Sequence, residues 1–190
     1  LSEKTFQYLK NMGVEIKLNA FVNNYDHDIV EFTNGEKIRV SALLWTAGVK
    51  GELPEGFSND NVSNQKRLLV DEFNRVLGYN NVFAIGDIAL RQTIAYHNGH
   101  PMVAQVAIQQ GKTLADNILF LLAQKPMQKF TYKDKGTMAT IGKKKAVAII
   151  NRFPVWGFPA WILWSFVHLM GIIGVRNKIL IGLNWLWNYF

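Results

Sequence analysis

Short apolar runs broken by Gly, Asn and Asp fill the amino-terminal part of the chain, and longer, more continuous apolar stretches fill its end. Segments 14–18, 29–32, 37–40 and 42–47 have the length and residue types of strands, with Asn34-Gly35 as a hairpin turn between the second and third. An apparent helix with Phe6, Leu9 and Lys10 precedes Gly13. Val82-Phe83-Ala84-Ile85 is an apolar run bounded by Asn80-Asn81 and Gly86-Asp87, which predicts a buried strand. Gly99-His100-Pro101 then breaks the chain and predicts a helix with Pro at its first position. Val103, Ala107, Leu114, Ile118 and Leu121 give that helix one apolar stripe suited to packing on a sheet. Residues 157–175 are apolar on nearly all faces, broken mainly by Ser165 and His168. A second apolar segment, 179–190, carries a narrow polar stripe of Asn177, Asn184 and Asn188. The first is about long enough to span a bilayer and the second too short, so two helices lying in the membrane interface are expected rather than one span.

The candidate chemistry lies where the predicted strand meets the predicted helix. In open α/β sheets, ligands bind beyond the carboxyl ends of strands, which is where Gly86 and Asp87 fall. Gly86 permits close backbone approach, and Asp87 can accept a hydrogen bond from a sugar or ribitol hydroxyl; a plain Gly-Asp turn is the alternative. A helix amino terminus offers unpaired N–H groups and partial positive charge to an electron-rich ring. Gln105 and Gln109 are four apart and share a helical face, so both amides could address one ligand; ordinary surface glutamines are the alternative. Ala47 and Gly48 are candidates for a dinucleotide contact, or simply the start of the Gly/Pro loop that runs through Gly56.

Composition narrows the field. A chain of 190 residues that is 49% hydrophobic is not a disordered polymer, and it holds one domain or parts of two. With no Cys there are no disulfide frameworks or thiolate metal sites. His97 and His100 read as a loop pair flanking the helix start rather than metal ligands, so no metal site is expected. Gly111-Lys112-Thr113 is not a phosphate loop, because that motif needs Gly where Val106 stands. Charge is segregated: 11 Lys+Arg face 13 Asp+Glu over residues 1–124, but 10 face 1 over residues 125–190. The basic part holds Lys143, Lys144 and Lys145 and borders a nearly uncharged segment with five of the six Trp, including Trp156, Trp161, Trp164, Trp185 and Trp187. Interfacial aromatics beside cations point to an anionic lipid surface rather than nucleic acid.

Ala104-Gln105-Val106-Ala107-Ile108-Gln109-Gln110 resembles the flavin-proximal helix of the type II, non-proton-pumping NADH:quinone oxidoreductases, which carries Ala-Gln-x-Ala-x-Gln-Gln beside the quinone. Leu68-Leu69-Val70-Asp71 followed by Asn81 to Asp87 is similar to the signature of the wider FAD-dependent pyridine nucleotide-disulfide oxidoreductase superfamily. Segments 135–142 and 157–185 are similar to the regions of these enzymes that lead into and form the carboxyl-terminal membrane-docking helices. The absence of Cys removes the redox-active pair of the disulfide reductases.

The resemblance implies an α/β chain: the carboxyl-terminal part of a two-dinucleotide-binding-domain, Rossmann-like flavoprotein, followed by amphipathic membrane-docking helices. Residues 1–45 would end an NAD(H)-binding domain, 46–124 would be part of the FAD-binding domain, and 125–190 the docking region. FAD is the implied cofactor, NADH the substrate and a membrane quinone the acceptor. Gly86, Asp87, Ala104, Gln105, Ala47 and Gly48 would contact FAD or the dinucleotide, with Asp87 on the ribitol. Gln105 and Gln109 would be catalytic; Ala104, Gln105, Gln109, Gln110, Trp164 and His168 would bind quinone. Some relatives place Lys or Arg near the position of Trp164, a departure that leaves open a side-chain cation there. The implied setting is peripheral, on the NADH-exposed, cytoplasmic face of a bacterial inner membrane, and a homodimer is allowed. No Gly-x-Gly-x-x-Gly occurs, so the chain reads as truncated and is not expected to retain flavin alone. Two rivals stay open: a flavin-dependent reductase with a soluble acceptor, and a non-catalytic basic membrane-binding module.

Overall fold

The computed structural model describes residues 1–189, the side chains of residues 188 and 189 excepted. The polar stripe expected at Asn188 and the aromatic Phe190 therefore lie outside the described residues. The chain divides into two compact units, Leu1–Leu44 with Lys135–Phe190, and Trp45–Asp134.

In the first unit, α1 (Ser2–Asn11) ends at Gly13, whose φ of 82° lets the Gly13 and Val14 N–H groups turn back to the carbonyls of Lys10 and Leu9. Strands β1 (Val22–Asp26), β2 (Ile29–Phe32) and β3 (Lys37–Arg39) form an antiparallel meander. The β2–β3 turn is the expected Asn34-Gly35: Gly35 takes φ of 85°, and Asn34 Oδ1 accepts the Glu36 N–H at 3.0 Å. Segments 14–18 and 42–47 are not strands. Leu18 and Leu44 are 72% and 87% exposed, and no ladder partner for either segment stands among the described residues, so propensity has no pairing to act through.

The same unit holds a second meander that the charge pattern had hidden. Strands β6 (Thr137–Thr140), β7 (Ala146–Ile150) and β8 (Phe153–Gly157) pair in order, and Asn151 and Arg152, at φ of 47° and 72°, make the tight β7–β8 turn. Lys143 and Lys144 lie in the link before β7, Lys143 exposed and Lys144 half-buried. Helix α3 (Phe158–Gly171) packs Ala160 and Trp161 onto Ala146 and Ala148, a small-residue face that lets helix and sheet approach closely. The α1 surface meets this region through Tyr8: the Lys145 ammonium lies 5.1 Å from its ring centre, and Lys4 lies 5.8 Å from that of Trp156.

The apolar stretch 157–175 is not one helix. The α3 helix stops at Gly171, Gly174 (φ 87°) breaks the chain, and α4 (Val175–Tyr189) begins earlier than the expected residue 179. Fourteen residues of α3 rise about 21 Å, against about 30 Å of bilayer hydrocarbon. Among the described residues no helix is long and apolar enough to cross a membrane.

In the second unit, β4 (Leu68–Leu69) and β5 (Ala89–Leu90) pair in parallel over a core of Leu68, Val70, Val76, Ala84 and Ala89. The expected strand at 82–85 is extended but irregular. Its pairing is a single antiparallel bridge, Phe83 to Arg75, because it lies against the 71–77 turn rather than a straight neighbour. Helix α2 (Ala104–Leu122) starts after Val103, not at Pro101. Arg67 Nη2 holds the His100 carbonyl at 3.0 Å and Val103 is extended (φ −137°), so residues 101–103 turn before the helix begins.

Candidate functional site at the Gly-Asp turn

The Gly86–Ile88 segment is one 3-10 turn after extended Ile85, and it abuts the first turns of α2. Gly86 needs to be glycine twice over: φ is 70°, and a Cβ there would sit 3.3 Å from the Cβ of Ala107. Asp87 is exposed, and its carboxylate accepts no hydrogen bond among the described residues. The first turn of α2 has no side-chain cap, and the Ala104 N–H has no acceptor among the described residues. The turn therefore presents an open carboxylate, and the helix start an open donor in a positive field.

The glutamines divide by role. Gln105 is half-buried. Gln109 binds the backbone of Lys133 at both ends of its amide: Nε2 donates to the carbonyl at 2.9 Å and Oε1 accepts the N–H at 3.0 Å. Its amide is thus engaged with the strand-like segment beside α2 instead of pointing with Gln105 at one ligand. Gln110, expected beside a quinone, is fully buried: Oε1 accepts the Gly86 N–H at 2.7 Å and Nε2 donates to Asn74 Oδ1 at 3.0 Å. The buried face of α2 is Val106, Gln110 and Asn117, whereas Val103, Ile118 and Leu121 of the expected apolar stripe are exposed. Asn117 explains the choice, since its amide closes two bonds with the Gln128 backbone, as Gln109 does with Lys133. Backbone groups lying against α2 need donors and acceptors that an apolar stripe cannot supply.

Three residues of this site were not singled out as functional. Arg67 is buried (3% exposed), and Nη2 donates to the Ala89 carbonyl at 2.6 Å and the His100 carbonyl at 3.0 Å. Burial lowers its pKa, and the Asp87 carboxylate pushes it back up, so the two charges sense one another. The signal for Arg67 was a charge directly before the apolar run Leu68-Leu69-Val70. Asn74 sits at φ of 62° at the tip of a turn capped by Asp71, whose Oδ1 accepts the N–H groups of Phe73 and Arg75. His100 lies at the centre of a ring cluster with Tyr96, Phe130 and Tyr132 at 5.1, 5.5 and 5.6 Å, which no spacing rule reveals. His97 is exposed, and no metal-holding cluster occurs among the described residues.

Burial lowers the His100 pKa from its ordinary 6.5, and Arg91 and Arg67 act in the same direction. Protonation is therefore harder in the folded chain than in the unfolded one. The stability this confers is complete above the unfolded value and is lost as pH falls through the depressed folded value. The protein should denature at lower urea concentration at pH about 5 than at pH about 7, and His100→Phe should flatten that slope. An unchanged slope in His100→Phe would assign the effect to other groups.

Ala47 and Gly48 lie in an exposed irregular segment, and no hydrogen bond among the described residues joins them to Gly86 or Asp87. Trp164 and His168 stand on α3 in the other unit. There His168 stacks on Trp164 at 4.2 Å, with Nδ1 2.8 Å from the Trp164 carbonyl, and Trp164 stacks on Trp185 at 5.4 Å.

The Gly-Asp turn thus leads into a parallel strand pair and is set against an uncapped helix start. Residues 1–111 match the pyridine nucleotide-disulphide oxidoreductase family, and residues 135–190 match the NDH2 C-terminal domain. The chain belongs to the pyridine nucleotide-disulphide oxidoreductase family. It is 34% identical over 200 residues to the type II NADH:quinone oxidoreductase Ndh of Mycobacterium tuberculosis, with 97% of this chain and 41% of that protein covered. The fold resembles that of NDH2 from Plasmodium falciparum in complex with NADH (TM-score 0.82, 17% identity, 97% of this chain and 53% of that one). It also resembles the sulfide:quinone oxidoreductase of Aquifex aeolicus (TM-score 0.68, 18% identity, 93% and 45%). The chain thus spans well under two thirds of the length of the relatives it matches.

Proposed function

We propose that the protein of which these residues form the site takes a hydride from NADH onto FAD and passes two electrons to a membrane quinone without pumping protons. The observation that carries this reading is the open Asp87 carboxylate at the Gly86 turn, set against the uncapped first turn of α2 with its Ala104-Gln105-Val106-Ala107 sequence. The residues present fit a flavin: an unpartnered acceptor for a ribitol hydroxyl, a glycine where a Cβ would crowd Ala107, and a backbone donor at a helix start. A flavin bound there would supply hydride acceptance and two-electron transfer, the chemistry that belongs to the cofactor.

The chain's own residues position and polarise. Asp87 would accept from the ribitol, and the Ala104 N–H and the helix field would favour negative charge on the pyrimidine side of the ring. Gln105, at the rim of that turn, would address the quinone. Gln109 holds the 133 backbone and so would shape the acceptor side through it rather than touch the quinone. Trp164 and His168 are assigned to the quinone's apolar part on their own unit. Ala47 and Gly48 would belong to the dinucleotide side, residues 1–45 to the NADH-binding domain, 46–124 to the FAD-binding domain and 125–190 to docking. Exposed Phe166, Ile173 and Trp187 on or between α3 and α4, beside an excess of 10 cations over 1 anion, support peripheral binding to anionic lipid on the NADH-exposed, cytoplasmic face.

The test uses the protein expressed from its full reading frame, loaded with FAD and assayed for NADH oxidation with a quinone in anionic liposomes. Gln105→Leu should lower quinone turnover about tenfold, one hydrogen bond's worth, and more than it lowers flavin content. Unaltered quinone kinetics would remove Gln105 from the acceptor site. Failure to co-sediment with the liposomes would favour a soluble acceptor.

A further inference from the structure

The Gly-Asp turn does not hold its place through backbone pairing alone. The Gly86 N–H points into the protein, and its acceptor is Gln110 Oε1 at 2.7 Å. Gln110 is fully buried, as is Asn74, to whose Oδ1 the Gln110 Nε2 donates at 3.0 Å. Asn74 is itself anchored: its N–H reaches the Asp71 carbonyl at 3.1 Å, and its carbonyl accepts the Ala84 N–H at 3.0 Å. One line of hydrogen bonds therefore joins the 71–75 turn, the second turn of α2 and the backbone of Gly86. It lies on the buried side of α2, behind the helix start that would face a ligand.

We infer that Gln110, anchored by Asn74, is the positioning residue that sets the Gly86–Asp87 turn against α2 and so fixes where the Asp87 carboxylate meets its ligand. The inference rests on the flavin reading proposed above. A contact residue for quinone needs an accessible amide; Gln110 has none, and both ends of its amide are taken inside the protein. Without the Gln110 acceptor, the Gly86 N–H is left unsatisfied in a buried place, and the cheapest remedy is for the turn to shift towards solvent, carrying Asp87 with it.

Asn74 adds a feature that makes the role testable. Its Nδ2 is buried with no acceptor among the described residues, so the amide can rotate to present a donor in place of an acceptor. A carboxylate at position 110 would then receive donors from both Gly86 and Asn74. Gln110→Glu should preserve the clamp, and Gln110→Met should keep the volume but lose it.

The experiment measures flavin release and quinone KM in the FAD-loaded protein expressed from its full reading frame. In Gln110→Met, flavin should leave about tenfold faster, the size of one lost buried hydrogen bond, and the visible circular dichroism of the bound flavin should change. Quinone KM, measured with saturating FAD, should stay within about twofold of the parent, and Gln110→Glu should recover most of the retention. A raised quinone KM with unchanged flavin release would overturn the inference by putting Gln110 in the acceptor site. Equal impairment in the Met and Glu variants would overturn it by reducing Gln110 to packing. Asp87→Ala separates the two levels of argument. If Asp87→Ala releases flavin and Gln110→Met does not, the clamp alone fails; if neither does, the flavin reading fails with it.

Discussion

With flavin held as proposed, Asp87→Ala is expected to cost the protein most of it. The carboxylate is exposed and has no hydrogen-bond partner among the described residues, so its removal breaks no hydrogen bond there and the loss should appear chiefly in ligand binding. Hydrogen bonds to a charged acceptor are worth about 1.5–3 kcal/mol, which predicts flavin affinity lower by roughly tenfold to a hundredfold. Asp87 also supports the nearby Arg67 cation, so its loss leaves that buried charge less compensated. Asp87→Asn should fall between, because it keeps an acceptor and loses the charge. Flavin absorbance per polypeptide and a titration of the apoprotein with FAD would measure both. Full flavin content in Asp87→Ala would remove this turn from the binding site.

The second large effect is on stability. Arg67→Met should destabilise the protein by about 2–4 kcal/mol. The guanidinium donates to the Ala89 and His100 carbonyls at 2.6 and 3.0 Å, bridging β5 to the loop that enters α2. Each buried carbonyl left without a donor costs about 1–3 kcal/mol, partly offset because a buried cation no longer has to be desolvated. The offset is incomplete, since Met fills the volume without offering a donor. Urea denaturation of parent and variant would show the difference in midpoint, and a loss below about 0.5 kcal/mol would mean that both carbonyls find other donors. Because Arg67 also fixes the backbone at His100, Arg67→Met should loosen the start of α2 and lower flavin affinity. That consequence separates it from an ordinary core substitution.

Particular residues show how far the chain could be read from its sequence. The Asn34-Gly35 hairpin was legible because the turn chemistry is local: Gly35 takes a positive φ, and Asn34 closes its own turn. The Gly86-Asp87 turn and the glutamine-rich helix were legible for the same kind of reason, together with a family resemblance that the comparisons bear out. The β6–β8 meander was missed because the Lys143-Lys144-Lys145 run dominated the reading of that region. The register of Ala146 to Ile150 with both neighbours is a non-local fact. The strands expected at 14–18 and 42–47 failed because length and strand-forming residue types describe a surface seeking a partner, and pairing needs the partner in place.

The α2 helix shows the division most sharply. Its sequence dictates a helix, and the period of 3.6 residues puts Val106, Gln110 and Asn117 on one face, with Ile118 roughly a quarter-turn round from it. Sequence also dictates the charge segregation, the clustered tryptophans and the glycine that Gly86 must be. It does not dictate which face of α2 turns inward. That choice belongs to the tertiary structure, because the Gly86 N–H, the Asn74 side chain and the Gln128 backbone all need polar partners, and Gln110 and Asn117 meet them. A buried polar group left unpaired costs more than an exposed apolar side chain, so Gln110 and Asn117 go in while Ile118 and Leu121 stay exposed.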